Sequence, residues 1–300
     1  MRVSPTATYT ARMPELPEVE GLALDLDERL RGHGIARIDV VAFSALKTFD
    51  PPVTALHGAF VESVTRHGKF LDIGAAGLHL VMHLSRAGWV RWRDEVPSVP
   101  ARPGGKNPLA ARVVLDDGSG LDITEAGTQK RLALYVVHRP DEVPGIARLG
   151  PDPLAPDFDR ETFARLMRAA GHHQVKGVLR DQSVIAGIGN AYSDELLHAA
   201  RLSPFKPADG LGEEEVTRLF EAIRTTLGDA VERARGLGSA DLKAEKRFGL
   251  RVHGRTGEPC DVCGDTIREV SFADSSLQYC PTCQTGGKPL ADRRMSRLLK

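Results

Sequence analysis

Three hundred residues make two domains at the usual allotment of about 100–200 residues each. A hydrophobic share of 41% and a charged share of 27% are those of a globular chain and exclude a wholly disordered or fibrous one. Forty basic residues balance forty acidic ones, so a strongly basic or acidic protein is excluded and any face for a polyanion has to be local.

The first twelve residues, MRVSPTATYTAR, have no apolar stretch of the kind a secretory signal carries. Residues 17–31 place Val19, Leu22, Ala23, Leu26 and Leu30 at helical spacing on one face, and Gly32 and Gly34 stop the helix. From Ile35 to about His138 the pattern becomes one of short strands: Ile35–Phe43, Phe60–Arg66, Phe70–Ile73, Leu78–Leu84, Trp89–Trp92, Arg112–Leu115, Leu121–Thr124 and Leu132–Val137. Glycine, aspartate and proline separate them, which suggests a β-sandwich. PSVPARPGGKNP (97–108) reads as a long exposed loop within it. The proline-rich, acidic stretch 140–158 is the best boundary. Helices follow: one over 160–170 that Asp159 could cap, Gln174–Asp181, a third that includes Asp194–Arg201 and ends at Pro204, and Glu213–Arg235. The last carries Val216, Leu219, Phe220, Ile223, Leu227, Ala230 and Val231 as one apolar stripe. No run of residues approaches the roughly 18 apolar positions of a membrane span.

All four cysteines fall in one C-x2-C, sixteen-residue, C-x2-C pattern: Cys260, Cys263, Cys280 and Cys283. Two cysteines three apart can aim both thiolates from one tight turn, and two such turns complete a tetrahedron, which points to one zinc ion. Four protein ligands leave no open position, so that metal would be structural. Two disulfides or buried free thiols are the alternatives. Four cysteines in 300 residues are too sparse for a disulfide scaffold, which fits a cytoplasmic location. Glu269–Tyr279 between the pairs reads as a hairpin turning at Asp274-Ser275-Ser276. Basic residues flank it, with Lys243, Lys246, Arg247, Arg251 and Arg255 before and Lys288, Arg293, Arg294, Arg297 and Lys300 after. They suit phosphates, or else a solvated charged surface.

Four blocks together resemble the Fpg/Nei family of bifunctional DNA glycosylases: PELPEVE (14–20), HGKFLDI (67–73), DQSVIAGIGNAYSDELLHAARLSP (181–204), and VHGRTGEPCDVC with its partner YCPTC (252–283). The likeness covers nearly the whole chain from Met13. It implies an α+β fold with an N-terminal helix and β-sandwich domain, then a helical helix-two-turn-helix domain with a C-terminal zinc-finger β-hairpin. The expected organisation is an extension at 1–12 absent from the mature protein, a catalytic domain at 13–139, a linker at 140–158, the helical DNA-binding domain at 159–242, and a zinc segment with basic tail at 243–300. The implied activity is removal of oxidised bases from double-stranded DNA and cleavage at the abasic site, by a monomer that is nucleoid-associated when bound. The implied nucleophile is Pro14, whose amine, once exposed by a start at Met13 and loss of that methionine, can attack a sugar carbon and form an iminium. Glu15 is implied as the acid/base on the sugar oxygen and Lys69 as a holder of phosphate. Asn190, after the glycine turn 187–189, is implied as a backbone contact, with Lys176 joining it from the preceding helix.

The chain departs from the family pattern in four places. The arginine expected five residues before the third cysteine is Ser275, which cannot make a bidentate charged contact. The aromatic wedge is missing from TEAGTQKRLAL (124–134), where Gln129, Lys130 and Arg131 remain to contact DNA, and Ser85-Arg86-Ala87 replaces the other intercalating cluster, leaving Arg86 for that place. The loop 236–248 is shorter than the one that covers an extruded 8-oxoguanine in the family. Oxidised pyrimidines, formamidopyrimidines or abasic sites are therefore the expected substrates. A catalytically weak DNA-binding paralogue that recognises damaged or distorted duplex is the alternative.

Overall fold

The computed structural model describes residues 13–101, 108–272 and 275–291, with the side chains at 247 and 248 also outside the description. Two compact units result. The first holds the described residues up to Pro14 with Leu26–Thr65 and Phe70–Val143; the second holds Glu15–Asp25, Arg66–Lys69 and the described residues from Pro144 onward. Helix α1 (Leu16–Leu30) buries Val19, Leu22, Ala23, Leu26 and Leu30, the five positions its spacing selects. Gly32, at φ +85°, ends it.

The strands of the first unit are β1 (Ile35–Val40), β2 (Val61–His67), β3 (Phe70–Ala75), β4 (Leu78–His83), β5 (Gly88–Arg93), β6 (Leu109–Leu115), β7 (Gly120–Glu125) and β8 (Ala133–Val137). They form two four-stranded sheets, in the orders β1-β6-β7-β5 and β2-β3-β4-β8. Registers such as Leu71↔Met82 and Val90↔Ile123 are antiparallel. Leu71, Ile73, Leu80, Met82, Val90, Ile123 and Val136 are buried between turns of glycine and aspartate, the sandwich core that the alternating strands require. The strand ends shift by up to three residues from the sequence expectation, most at β1 and β6. β1 stops at Val40, because the N–H groups of Val41 and Ala42 both turn to the Ala110 carbonyl (2.9 and 2.8 Å), and Phe43 begins a single 3-10 turn over Phe43–Ala45. β6 starts three residues early, because Leu109–Ala111 are buried and already pair with β7.

The second unit contains α2 (Arg160–Ala169), α3 (Val175–Arg180), α4 (Asn190–Ala199), α5 (Glu213–Ala234), α6 (Leu242–Gly249), the hairpin β9 (Arg268–Ser271) and β10 (Ser276–Tyr279), and α7 (Pro281–Thr285). The Asp159 carboxylate accepts the Thr162 N–H at 2.7 Å and caps α2. Leu16, Phe163, Leu179, Ile188, Leu196, Leu219, Ile223 and Leu227 share one apolar core, so the start of α1 packs with the later helices. Helix α6 corrects the expectation of a loop over 236–248. Leu242 and Lys246, one turn apart, are both buried, and Glu245 pairs with Arg233 of α5 at 2.7 Å. A side chain at Gly21 of α1 would lie 2.8 Å from Leu242, so that glycine admits α6 at close range. Among the described residues no helix is long and apolar enough to cross a membrane.

Candidate active site

The turn before α4 and the residues before α1 build one anion site. Gly187 takes φ +86°, which favours glycine, and its carbonyl accepts the Leu16 N–H at 3.0 Å. The Glu15 side chain then reaches the first turn of α4. Its carboxylate accepts N–H groups from Gly189 (2.6 Å), Ala191 (2.9 Å) and Tyr192 (3.3 Å). A Cβ at Gly189 would lie 2.4 Å from the Glu15 carboxyl carbon, and one at Gly187 would lie 2.7 Å from Leu16, so both positions require glycine. Three aligned donors at a helix start suit a negative charge.

Charge around Glu15 is dense and buried. Burial alone would raise its pKa; Lys246, Lys69 and the Ala191 N–H outweigh that and hold the carboxyl down at about 2. Lys246 Nζ lies 3.6 Å from Glu15 Oε1 and 2.7 Å from Glu18 Oε2. The same Glu18 oxygen accepts the Glu15 N–H at 2.8 Å, and its other oxygen accepts the Tyr192 hydroxyl at 3.1 Å. Burial pushes the Glu18 carboxyl up, Lys246 opposes that, and the Glu15 charge adds to it. The two carboxyls are thus driven apart, the arrangement that divides proton-holding from proton-accepting roles.

Lys69 stands at the Gly68–Lys69 corner, where Gly68 takes φ +56°. Arg66 fixes this corner: its guanidinium donates to the Gly68 carbonyl (3.1 Å) and pairs with Glu20 and Asp152, each at 2.6 Å. Burial brings the Lys69 ammonium down to about 8 against the pull of Glu15. Glu15 and Lys69 therefore act on one another electrostatically. Pro14 is buried and directly precedes Glu15, while residues 1–12 lie outside the described residues.

The remaining expected DNA contacts divide into inward and outward groups. Lys176 points inward. The residue is only 5% exposed, and its ammonium donates to Asp194 (2.6 Å), the Ser193 hydroxyl (2.6 Å) and the Asn190 carbonyl (3.1 Å), so the expectation of a direct DNA-backbone contact gives way to a buried tie beneath the α4 start. Asn190 is half-buried; its amide donates to the Ser276 carbonyl at 2.8 Å, and its Oδ1 is buried without a partner among the described residues. Arg86, Lys130 and Arg131 are exposed on the sandwich unit. Their loops are joined, for the Ser85 hydroxyl donates to the Arg131 carbonyl at 2.7 Å and the buried Glu125 carboxylate accepts the Arg131 and Leu132 N–H groups at 2.6 and 2.9 Å. The Lys130 ammonium donates to the Glu125 carbonyl. Arg268 of β9 is exposed, whereas Arg293, Arg294, Arg297 and Lys300 lie outside the described residues.

The four cysteine Sγ atoms lie within 4.8 Å of one another, with Cys263–Cys280 at 3.4 Å and Cys260–Cys283 at 3.9 Å. These separations exceed a disulfide's and leave four thiols around one point. Burial, with the neighbouring sulfurs adding, pushes the Cys280 thiol up to about 11 and Cys283 higher still, a crowding that a soft divalent cation relieves by taking thiolates as ligands. The donor set fits zinc. His198 places Nε2 3.3 Å from Cys260 Sγ.

Several participants carried no assigned role at the level of sequence. Glu18 sits within PELPEVE and Tyr192 within the 181–204 block, so their neighbours in the motif were a usable signal. Lys246 was one cation in a basic run, and nothing local distinguishes it from Lys243. Glu195 likewise shows only in three dimensions, where it accepts N–H groups of Arg251 (2.7 Å), Val252 (3.0 Å) and His253 (2.8 Å).

Family models match in three consecutive places: the formamidopyrimidine-DNA glycosylase N-terminal domain at 13–130, the formamidopyrimidine-DNA glycosylase H2TH domain at 149–241, and a zinc finger found in FPG and IleRS at 257–286. An uncharacterized formamidopyrimidine-DNA glycosylase-like protein of Mycobacterium tuberculosis is 62% identical over 152 residues, which are 51% of this chain and 94% of that protein. The formamidopyrimidine-DNA glycosylase of Symbiobacterium thermophilum is 36% identical over 94% of this chain and 93% of its own. The crystal structure of the Lactococcus lactis formamidopyrimidine-DNA glycosylase bound to DNA containing an abasic site superposes with a TM-score of 0.77 at 28% identity, covering 90% of this chain and 99% of that one. With a full-length relative at this identity and three family models in order along the sequence, the chain belongs to the formamidopyrimidine-DNA glycosylase family.

Proposed function

We propose that the protein is a base-excision-repair DNA glycosylase that also cleaves the resulting abasic site. The acting form begins at Pro14, whose secondary amine attacks the anomeric carbon of a damaged nucleotide. The new C–N bond displaces the base, and the sugar ring opens to an iminium. Loss of a C2′ proton then drives departure of the 3′ phosphate. The ionised Glu15 carboxylate carries this reading. It is held by three N–H groups beside the nucleophile's own residue, where it offers a fixed negative charge to the cationic iminium and accepts a hydrogen bond from the sugar. A carboxyl at about 2 enters the reaction as a base, so Glu15 accepts a proton before it returns one. Lys69, mostly cationic at neutral pH, holds phosphate. Support for the terminal proline comes from the family match, which begins at residue 13.

Asn190, Arg86, Lys130 and Arg131 are the proposed DNA contacts, and Lys176 serves by holding the α4 start. Cys260, Cys263, Cys280 and Cys283 would hold one structural zinc that braces the hairpin, with no part in bond cleavage. The proposed substrates are oxidised pyrimidines, formamidopyrimidines and abasic sites in duplex DNA, engaged by a monomer. That abasic DNA is the ligand of the Lactococcus lactis protein supports the last of these.

Ser275, in the place of the expected hairpin arginine, favours a second reading: a DNA-binding paralogue that engages damaged duplex without turning it over. Borohydride trapping on an abasic duplex separates the two, using protein whose intact mass shows Pro14 at its terminus. A covalent adduct that disappears in Pro14→Gly is the expected result. Tight binding with no adduct overturns the enzymatic reading in favour of the paralogue.

A further inference from the structure

Among the described residues, Lys246 is a buried cation beside Glu15 to which the proposed reaction gives no task. It comes from α6, a helix held at both ends. Leu242 packs on Gly21 of α1, and Glu245 pairs with Arg233, whose guanidinium also lies so close to Gly249 that a Cβ there would come within 2.7 Å of it. The Lys246 side chain is 6% exposed, and its ammonium lies 5.0 Å from the centre of the Tyr192 ring. It reaches Glu15 by two routes. One is direct, at 3.6 Å from Oε1; the other runs through the Glu18 oxygen that accepts both the Lys246 ammonium and the Glu15 N–H.

We propose that Lys246 is a positioning residue for Glu15: from α6 its ammonium clamps Glu18 beneath the Glu15 amide and keeps a positive charge beside the Glu15 carboxylate. This makes α6 part of the catalytic unit, and it rests on the use of Glu15 proposed above. The groups facing Glu15 are Lys246 from α6, Lys69 from the β2–β3 corner, Lys176 from α3, Glu18 from α1, Tyr192 with the α4 N–H groups, and His253 from the segment after α6. Lys176 is taken up by Asp194 at 2.6 Å, and two carboxyls, Glu15 and Glu18, then balance two lysines, Lys69 and Lys246. Without Lys246, two buried carboxyls would share one lysine, and like charges at short range cannot both stay ionised cheaply. Stability is a poor explanation for burying this lysine, since desolvation offsets most of what a buried ion pair gains. Charge beside the reacting group explains it better.

The test titrates Glu15 directly. Protein carrying 13C-labelled glutamate is followed by NMR through acid pH, with the Glu15 carboxyl assigned by its absence in Glu15→Gln. In the wild type and in Lys246→Arg, Glu15 stays ionised to the acid limit of the folded protein. In Lys246→Met its midpoint rises by about 1–3 pH units, and the acid limb of borohydride trapping on an abasic duplex moves with it. A Glu15 titration unchanged in Lys246→Met overturns the proposal. A measurement on the wild type alone guards against a variant that fails to fold: the 15N-labelled Lys246 ammonium exchanges its protons slowly, and exchange as fast as that of a surface lysine also overturns it. Absence of any wild-type adduct would sink the proposed reaction instead, and leaves the titration to be judged separately.

Discussion

Glu15 and Glu195 are both buried, and each accepts three backbone N–H groups. One is held well down at about 2, while burial and the neighbouring Asp194 push the other up despite its three donors. The hydrogen-bond pattern is therefore not what sets their charge. Glu15 receives the start of α4 with two lysines close by; Glu195 lies within α4 and fastens the segment 251–253 that leads to the cysteines. Matching donors hold the proposed reacting charge at one glutamate and a structural seam at the other, and the cations make the difference.

The largest effect expected falls on the Glu195 side. Chelation of zinc, or Cys260→Ser, should unfold the hairpin segment and abolish DNA binding, because structural zinc contributes about 10–16 kcal/mol against a domain's total of about 5–15. Zinc content, circular dichroism and gel shift follow it; a hairpin that keeps its protease resistance without metal would break the assignment. On the Glu15 side, Glu15→Gln should slow trapping by about 10²–10⁴-fold. Glu195→Gln should instead cost about 1–3 kcal/mol of stability in denaturant melts and leave the pH profile of trapping unmoved. Equal kinetic losses in the two variants would erase the contrast.

Protons sharpen the comparison further. The Glu15 pKa falls on folding from an ordinary 4.5 to about 2, so its stabilisation is complete above about 4.5 and is lost as the pH drops toward 2. Glu195 shifts the other way, so taking up a proton in acid relieves its burial. Lys69 gives an alkaline counterpart. Its ammonium loses its proton as the pH rises through about 8, and affinity for abasic DNA should fall there; Lys69→Arg should remove that limb. Titrated binding by fluorescence anisotropy checks the sign. The smallest effect belongs to the exposed rim, where Arg86→Ala or Arg131→Ala should each reduce the slope of log affinity against log salt by about one. An unchanged slope would remove that residue from the interface.

Strands and amphipathic helices were legible because periodicity is local. Val19, Leu22, Ala23, Leu26 and Leu30 are buried as their spacing requires, and the hairpin between the cysteine pairs forms with Ser276 already paired to Ser271, while Asp274 of its expected turn lies outside the described residues. Helix α6 was not legible: it offers a single buried leucine, and its second anchor is a lysine paired with a glutamate 228 residues away in sequence. Lys176 misled for the opposite reason. A lysine before a glycine turn looks like a phosphate ligand until Asp194 is found opposite it. Spacing along a chain reports which face a residue occupies; it does not report what a distant segment brings to meet it.

The two glycines ahead of α4 carry a consequence for protein engineering. Leu16 and Glu15 fill the volumes where methyl groups at 187 and 189 would sit, so the opening of α1 and this turn interlock like a key and its ward. Neither half can be transplanted alone. A chimera that takes its first residues from one homologue and its turn from another keeps the charge only if the pair is exchanged together, and one alanine codon at 189 would evict the carboxylate while sparing every side chain that a motif search would inspect.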